Sequence, residues 1–302
     1  MQTVEWVRNL IEGEIATVSR LRSSPYIDFP HSIHLESLAV CNAACGFCPY
    51  PDLDRKGTRM RDALIEKIID DLAEIPTSTP FTLMPYKVNE PFLDKRLPDI
   101  LETVNERLPN ATISLFSNGS AFTESNLKRI ASIRNIGQFV VSLNESEPDA
   151  YFELMKMPFA RTLDRLRLLH DRVVSGTMPH RITINRVMDG TNSDARFLDW
   201  GRETFPAFET TLSLRKDWNG QVDERTTFQT APKLPCRRWF DLSIMATGST
   251  TMCCMDGKGE WPIGDANDQH LLDIYNAPKH KAIRAKAASR HDVEACRTCT
   301  YL

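Results

Sequence analysis

Cysteine is the residue whose spacing says most in this 302-residue chain. Cys41, Cys45 and Cys48 stand in one short run, Cys41-Asn-Ala-Ala-Cys45-Gly-Phe-Cys48. Three thiolates can hold three irons of a four-iron cluster and leave the fourth open to an outside ligand, whereas a cluster that only carries electrons generally takes four cysteines. An open iron is a place for chemistry. The competing uses are a structural zinc or buried free thiols, but zinc takes four ligands and no nearby histidine completes a set.

The other cysteines lie near the end: Cys236, Cys253, Cys254, and the C-x2-C pair Cys296 and Cys299. Four separated thiols gathered by a hairpin and a terminal pair suit zinc or a four-iron cluster, and spacing alone does not choose between them. Eight cysteines without a secretory signal point to a reducing compartment, where grouped thiols bind metal more often than they form disulfides, so the expected location is the cytoplasm. The N-terminal segment is amphipathic and carries Glu5, Glu12 and Glu14, unlike a cleavable signal. No apolar run reaches membrane-spanning length, and a net charge of −3 spread over mixed stretches leaves no basic footprint, so neither a membrane nor a nucleic-acid partner is expected.

Something must hold these thiols in place. With 41% hydrophobic residues, the chain can bury a sizeable core. Short β-branched runs predict strands at Ser32–Ala39, Phe81–Pro85, Thr112–Phe116, Gln138–Leu143, Arg181–Val187 and Glu209–Arg215. Three-to-four apolar spacing between them predicts helices at Asp62–Ile75, Arg96–Glu106, Glu124–Ile133, Arg161–Val174 and Ser193–Thr204. Six βα units make an α/β domain with a parallel sheet, an incomplete barrel, with ligands at the carboxyl ends of the strands. The first cysteine run follows the first strand directly. The polar stretch Asp223–Pro235 reads as a linker, with a domain boundary near residue 217. The remainder predicts a hairpin turning at Thr247-Gly248, a second turn near Gly257, and a helix over Gln269–Ser289. The expected organisation is a helical extension over 1–31, the barrel over 32–216, and a small domain over 217–302.

The C-x3-C-x2-C run with an aromatic before its third cysteine resembles the signature of radical S-adenosylmethionine (SAM) enzymes, and the likeness covers nearly the whole chain. It implies a partial (β/α)6 TIM-like barrel, a [4Fe-4S] cluster on Cys41, Cys45 and Cys48, and reductive cleavage of SAM to methionine and a 5′-deoxyadenosyl radical. It places Phe47 near the adenine. Where the superfamily usually carries Gly-Gly-Glu for the SAM amine, this chain has Val88-Asn89-Glu90-Pro91, keeping Glu90 without the glycines. Ser117-Asn118-Gly119 resembles the ribose-contact segment. Ser142 and Asn144 match a ribose or carboxylate position, and Arg186 a partner for the SAM carboxylate, a packing or capping role being the alternative for each.

The C-terminal cysteines resemble the twitch form of the SPASM domain, a β-hairpin plus helix holding one auxiliary [4Fe-4S] cluster. The resemblance implies Cys236, Cys253, Cys296 and Cys299 as its ligands. Cys254 is then left over, either a hydrogen-atom donor to a substrate radical or a small buried hydrophobe beside the cluster. Twitch enzymes of aminoglycoside biosynthesis, of the deoxy-scyllo-inosamine dehydrogenase and neomycin epimerase types, are similar in cysteine spacing. That likeness implies hydrogen abstraction from an amino sugar or aminocyclitol. The spare Cys254 tips the reading towards epimerisation. Dehydrogenation, with the auxiliary cluster as electron acceptor, is the alternative, and peptide modification a further one, although the residues before the first strand are too few for a leader-binding domain. An electron donor such as flavodoxin or ferredoxin is implied. Arg215 and Asp256 are the substrate-side candidates. Glu145, Glu147, Asp149, Asp217 and Asp256 are acidic groups available to hold a polycation.

Overall fold

Six parallel strands form where the apolar runs predict them: β1 (Ser32–Leu35), β2 (Phe81–Met84), β3 (Ala111–Ser117), β4 (Ile136–Ser142), β5 (Ile182–Val187) and β6 (Glu209–Ser213). The computed structural model describes residues 4–222 and 230–301, so residues 223–229 of the expected linker lie outside the described residues. A helix α1 (Val4–Arg22) precedes the sheet, and α2 (Asp62–Ala73), α3 (Leu97–Arg107), α4 (Glu124–Ile130), α5 (Pro148–Met155), α6 (Phe159–Val174) and α7 (Asn192–Thr204) run between the strands.

Alternation along the strands divides the sheet into two faces. Ile33, Leu35, Leu83, Ile113, Leu115, Phe139, Val141 and Ile184 are almost completely buried and join one core with the apolar stripes of the helices, such as Leu64, Ile65, Ile68, Ile69 and Leu72 of α2. The intervening positions, His34, Met84, Ser114, Phe116, Gln138, Ser142, Asn185 and Val187, turn the other way and line a lumen.

Three features depart from the sequence reading. Helix α5 was not anticipated; it starts with a proline in its first turn and ends on left-handed Lys156 (φ 56°), too short for its periodicity to show. The expected helix 269–289 is two, α8 (Leu271–Asn276) and α9 (Pro278–Lys286), because a residue before proline is driven to extended backbone and Ala277 has ψ 135°. The C-terminal hairpin, β7 (Asp241–Ile244) and β8 (Ser249–Thr251), gains a third strand, β9 (Pro262–Asp265), antiparallel to β8. Gly248 at its turn has φ 95°, where a side chain would also collide with Asn267.

β7 pairs in parallel with β1, so the strand order is β6-β5-β4-β3-β2-β1-β7-β8-β9 and one sheet crosses the expected boundary near residue 217. Helix α1 ties the two ends of the chain together. Its buried Glu14 accepts the Arg237 backbone N–H at 2.9 Å, and Arg22 donates to the Arg284 carbonyl at 2.8 Å. Val18 and Leu21 pack with Trp239, Phe240, Cys236 and Cys299 in a second core. No helix of the described residues is long and apolar enough to cross a membrane.

Candidate active site

The loop carrying Cys41, Cys45 and Cys48 leaves the carboxyl end of β1 and is clamped from two sides. The end of α5 accepts its amides, Ala44 N–H to the Met155 carbonyl at 3.1 Å and Gly46 N–H to that of Leu154 at 3.3 Å. The turn after β3 holds it through side chains: Asn118 Nδ2 donates to Asn42 Oδ1 at 2.9 Å, and Asn42 Nδ2 to Ser120 Oγ at 2.8 Å. Burial pushes the Cys41 thiol up to about 12, Glu90 adding to the effect, and Cys48 up to about 11; Cys45 is raised by burial and by the other two sulfurs. The thiols of this loop lie near enough for their charges to raise one another, and burial disfavours their ionisation unless a cation offsets it, which fits a thiolate-bound metal group.

Glu90 stands beside this loop at 2% exposure. Its carboxylate accepts from Ser117 Oγ at 2.7 Å, Asn118 N–H at 2.6 Å and Phe92 N–H at 3.1 Å, and burial pushes it up to about 7. Ser117 and Asn118 are therefore brought to Glu90 and the cysteine loop together. The following Gly119 has φ 79°, and a Cβ there would lie 2.9 Å from Val141.

The lumen is a cavity of about 330 Å³. Phe47 and Ser142 lie on its wall. The Arg215 guanidinium sits 6.0 Å from the Phe47 ring centroid, and Trp218 Nε1 donates to the Phe47 carbonyl at 3.0 Å.

Two candidates point elsewhere. Asn144 is fully buried, with φ 68°, and pins β4 to β5 by accepting Val187 N–H at 2.9 Å. Arg186 is one residue out of phase with lumen-facing Asn185 and Val187. Its guanidinium is 1% exposed and bonds Asp194 at 2.8 Å, Asp189 at 2.6 Å, Glu145 and the Asn144 carbonyl. It therefore anchors the loop after β5.

Three of the acidic groups expected to meet a polycation, Glu145, Asp217 and Asp256, are spent as well. Asp256 is buried and accepts from the backbone N–H groups of Gly259, Glu260 and Trp261 and from Gln221 Nε2, so it shapes its own loop. Asp217 accepts from Asn219 and Thr300 N–H, each at 3.1 Å, and Glu147 and Asp149 are exposed.

A second cavity, about 500 Å³, has Cys236, Cys253, Cys296 and Cys299 on its wall, with Trp239 and Asp256. Cys254 is on the wall of the lumen instead. The adjacent cysteines after β8 thus line different cavities while their side chains bond each other, and Arg238 and Met255 border both cavities. Around Cys254, ligand atoms of His34, Asp241 and Cys254 lie within 4.8 Å of one another, all three residues buried. Arg238 bonds Asp241 at 3.0 Å and brings a positive charge there, which disfavours a further cation. Sequence reasoning missed the lumen residues His34, Lys87, Lys216 and Arg238; for His34 the alternation along β1 held the clue.

A family model for the radical SAM superfamily matches residues 35–198, more than half of the chain, and one for an iron–sulfur cluster-binding domain, SPASM, matches residues 236–300. The S-adenosyl-L-methionine-dependent 2-deoxy-scyllo-inosamine dehydrogenase of Niallia circulans is 21% identical over 88% of this chain and 91% of its own. The crystal structure of BtrN in complex with AdoMet and 2-DOIA matches at TM-score 0.63 and 17% identity, covering 91% of this chain and 94% of that one. Streptococcus suis SuiB bound to precursor peptide SuiA matches at TM-score 0.68 and 16% identity, over 94% of this chain and 73% of that one. The chain belongs to the radical SAM superfamily, with SAM and an iron–sulfur cluster as cofactors and a C-terminal iron–sulfur cluster-binding domain.

Proposed function

We propose that the enzyme epimerises a hydroxyl- or amine-bearing carbon of a small amino sugar or aminocyclitol, with Cys254 returning hydrogen to the face opposite abstraction. The observation that carries this reading is the placement of Cys254 on the lumen wall while its neighbour Cys253 faces the second cavity. Cys41, Cys45 and Cys48 would hold the SAM-cleaving cluster, and Cys236, Cys253, Cys296 and Cys299 the auxiliary one. With SAM bound and one electron taken from a donor, the first of these clusters would supply a carbon radical able to take hydrogen from the substrate. Phe47, Ser117, Asn118 and Ser142 line the SAM side. Cys254 then gives up its S–H hydrogen as the new C–H bond forms, and one proton plus one electron, from a donor of the flavodoxin or ferredoxin type, restore the thiol. This step needs Cys254 protonated. Cys253, Arg238 and His34 pull this thiol downward, while its burial pushes it up.

Dehydrogenation is the second reading, favoured by the likeness to the Niallia circulans dehydrogenase over most of both chains. Anaerobic turnover of aminocyclitols in deuterated water separates the two. One deuterium gained at carbon without net redox change supports epimerisation; a loss of two mass units overturns it in favour of dehydrogenation.

Glu90 is proposed to accept from the SAM amino group. The carboxylate is the stronger acceptor, and burial raises this group to about 7. SAM affinity should therefore climb as pH rises through about 7 and then level off, and Glu90→Gln should weaken binding and flatten the climb. Equilibrium dialysis of the reconstituted protein across that range measures both.

A further inference from the structure

We propose that the substrate bound in the lumen carries an anionic group, a phosphate or carboxylate on its ring, and is not a polyamine. The inference rests on the radical SAM reading above and narrows its substrate class. Lys87, Lys216 and Arg238 lie on the lumen wall, with His34, and no aspartate or glutamate does among the described residues. The carboxylates nearby are committed: Asp241 to Arg238, Glu145 to Arg186, and Asp256 and Asp217 to backbone N–H groups. A polycation would enter a space with positive walls and find no opposite charge.

The three cations are not equally available. Lys87 already donates to Thr251 Oγ1 at 3.2 Å and to the Cys253 carbonyl at 3.4 Å. Arg238 is held by Asp241. Lys216 forms no ion pair among the described residues, and its Nζ lies 5.1 Å from the Tyr301 ring centroid. Burial and the charges of Arg238 and Arg237 push it down to about 8, so an anion placed beside it would relieve an existing cost. His34 adds a buried imidazole to the same wall. It stands next to Cys254, the residue proposed to face the reacting carbon.

The same cations have a competing use as counter-charges for iron–sulfur clusters, and the test must tell the two apart. Binding to the SAM-loaded, reconstituted protein would be measured by calorimetry at low and high salt for glucose 6-phosphate, glucuronate, glucose and 2-deoxystreptamine. The expected result is salt-sensitive binding of one or both anionic sugars, the stronger naming phosphate or carboxylate, and little binding of glucose or 2-deoxystreptamine. Lys216→Gln should weaken anion binding by about tenfold or more, and Lys216→Arg should retain most of it. Tighter binding of 2-deoxystreptamine than of either anion overturns the proposal. So does unchanged anion binding in Lys216→Gln protein, whose iron content and thermal midpoint report whether it has folded. SAM cleavage and the fate of Cys254 are read separately, so failure here leaves the epimerase reading standing.

Discussion

Protein carrying Cys45→Ala, reconstituted anaerobically, should form no detectable 5′-deoxyadenosine, while its cluster-free form should keep a thermal midpoint close to that of the cluster-free unaltered protein. The expectation follows from the surroundings of the three thiols. Each is half-buried and pushed upward as a thiol by loss of solvent, so ionisation is disfavoured unless a metal shares the space. Removing one thiolate leaves too few protein donors for a cluster with one open iron. Stability is largely spared because α5, Asn42 and Asn118 hold the loop through backbone and amide bonds, and the substitution removes only the contact of Cys45 Sγ with Met155 Sδ at 3.4 Å. Iron content should fall by about half, since the thiols around the second cavity are untouched. Persistent 5′-deoxyadenosine formation would remove Cys45 from the ligand set.

Cys254→Ala should behave in the opposite way. SAM cleavage should continue, since the thiol acts after hydrogen abstraction, while epimer formation should fall by about a hundredfold or more, the scale expected when a group that transfers hydrogen is lost. Substrate should undergo abstraction and then regain hydrogen on its original face or decay, read as 5′-deoxyadenosine formed without inverted product. An unchanged epimer yield would make Cys254 one more small buried side chain. Structural damage should be slight, because Cys254 makes no ladder bond and a one-atom truncation leaves a small void.

Much of the barrel was legible because most of its strands are short apolar or β-branched runs and most of its helices carry their own apolar period. What escaped did so for physical reasons. Pro262-Ile-Gly-Asp265 has no run of β-branched residues to mark it, yet it forms a strand at the sheet edge, where proline's missing donor costs little. The cysteine clusters were legible because chemistry fixes their spacing. The charged lumen was not, since Lys87, Lys216 and Arg238 come from three separate segments and only folding brings them to one wall. Arg186 shows how a single register position decides a role: shifted by one residue it would face the lumen, and in place it ties down a loop.

The pairing of β7 with β1 has a consequence for how the site opens. The two candidate cluster regions hang from neighbouring strands of one ladder, Ser32 to Leu35 against Asp241 to Ile244. Swinging one region away from the other would break those backbone bonds in a buried sheet, so among the described residues the β1 and β7 ladder offers no hinge between them. The gap between the two cavities is then a fixed dimension of the frame, and substrate has to reach the lumen past side chains and loops at its mouth.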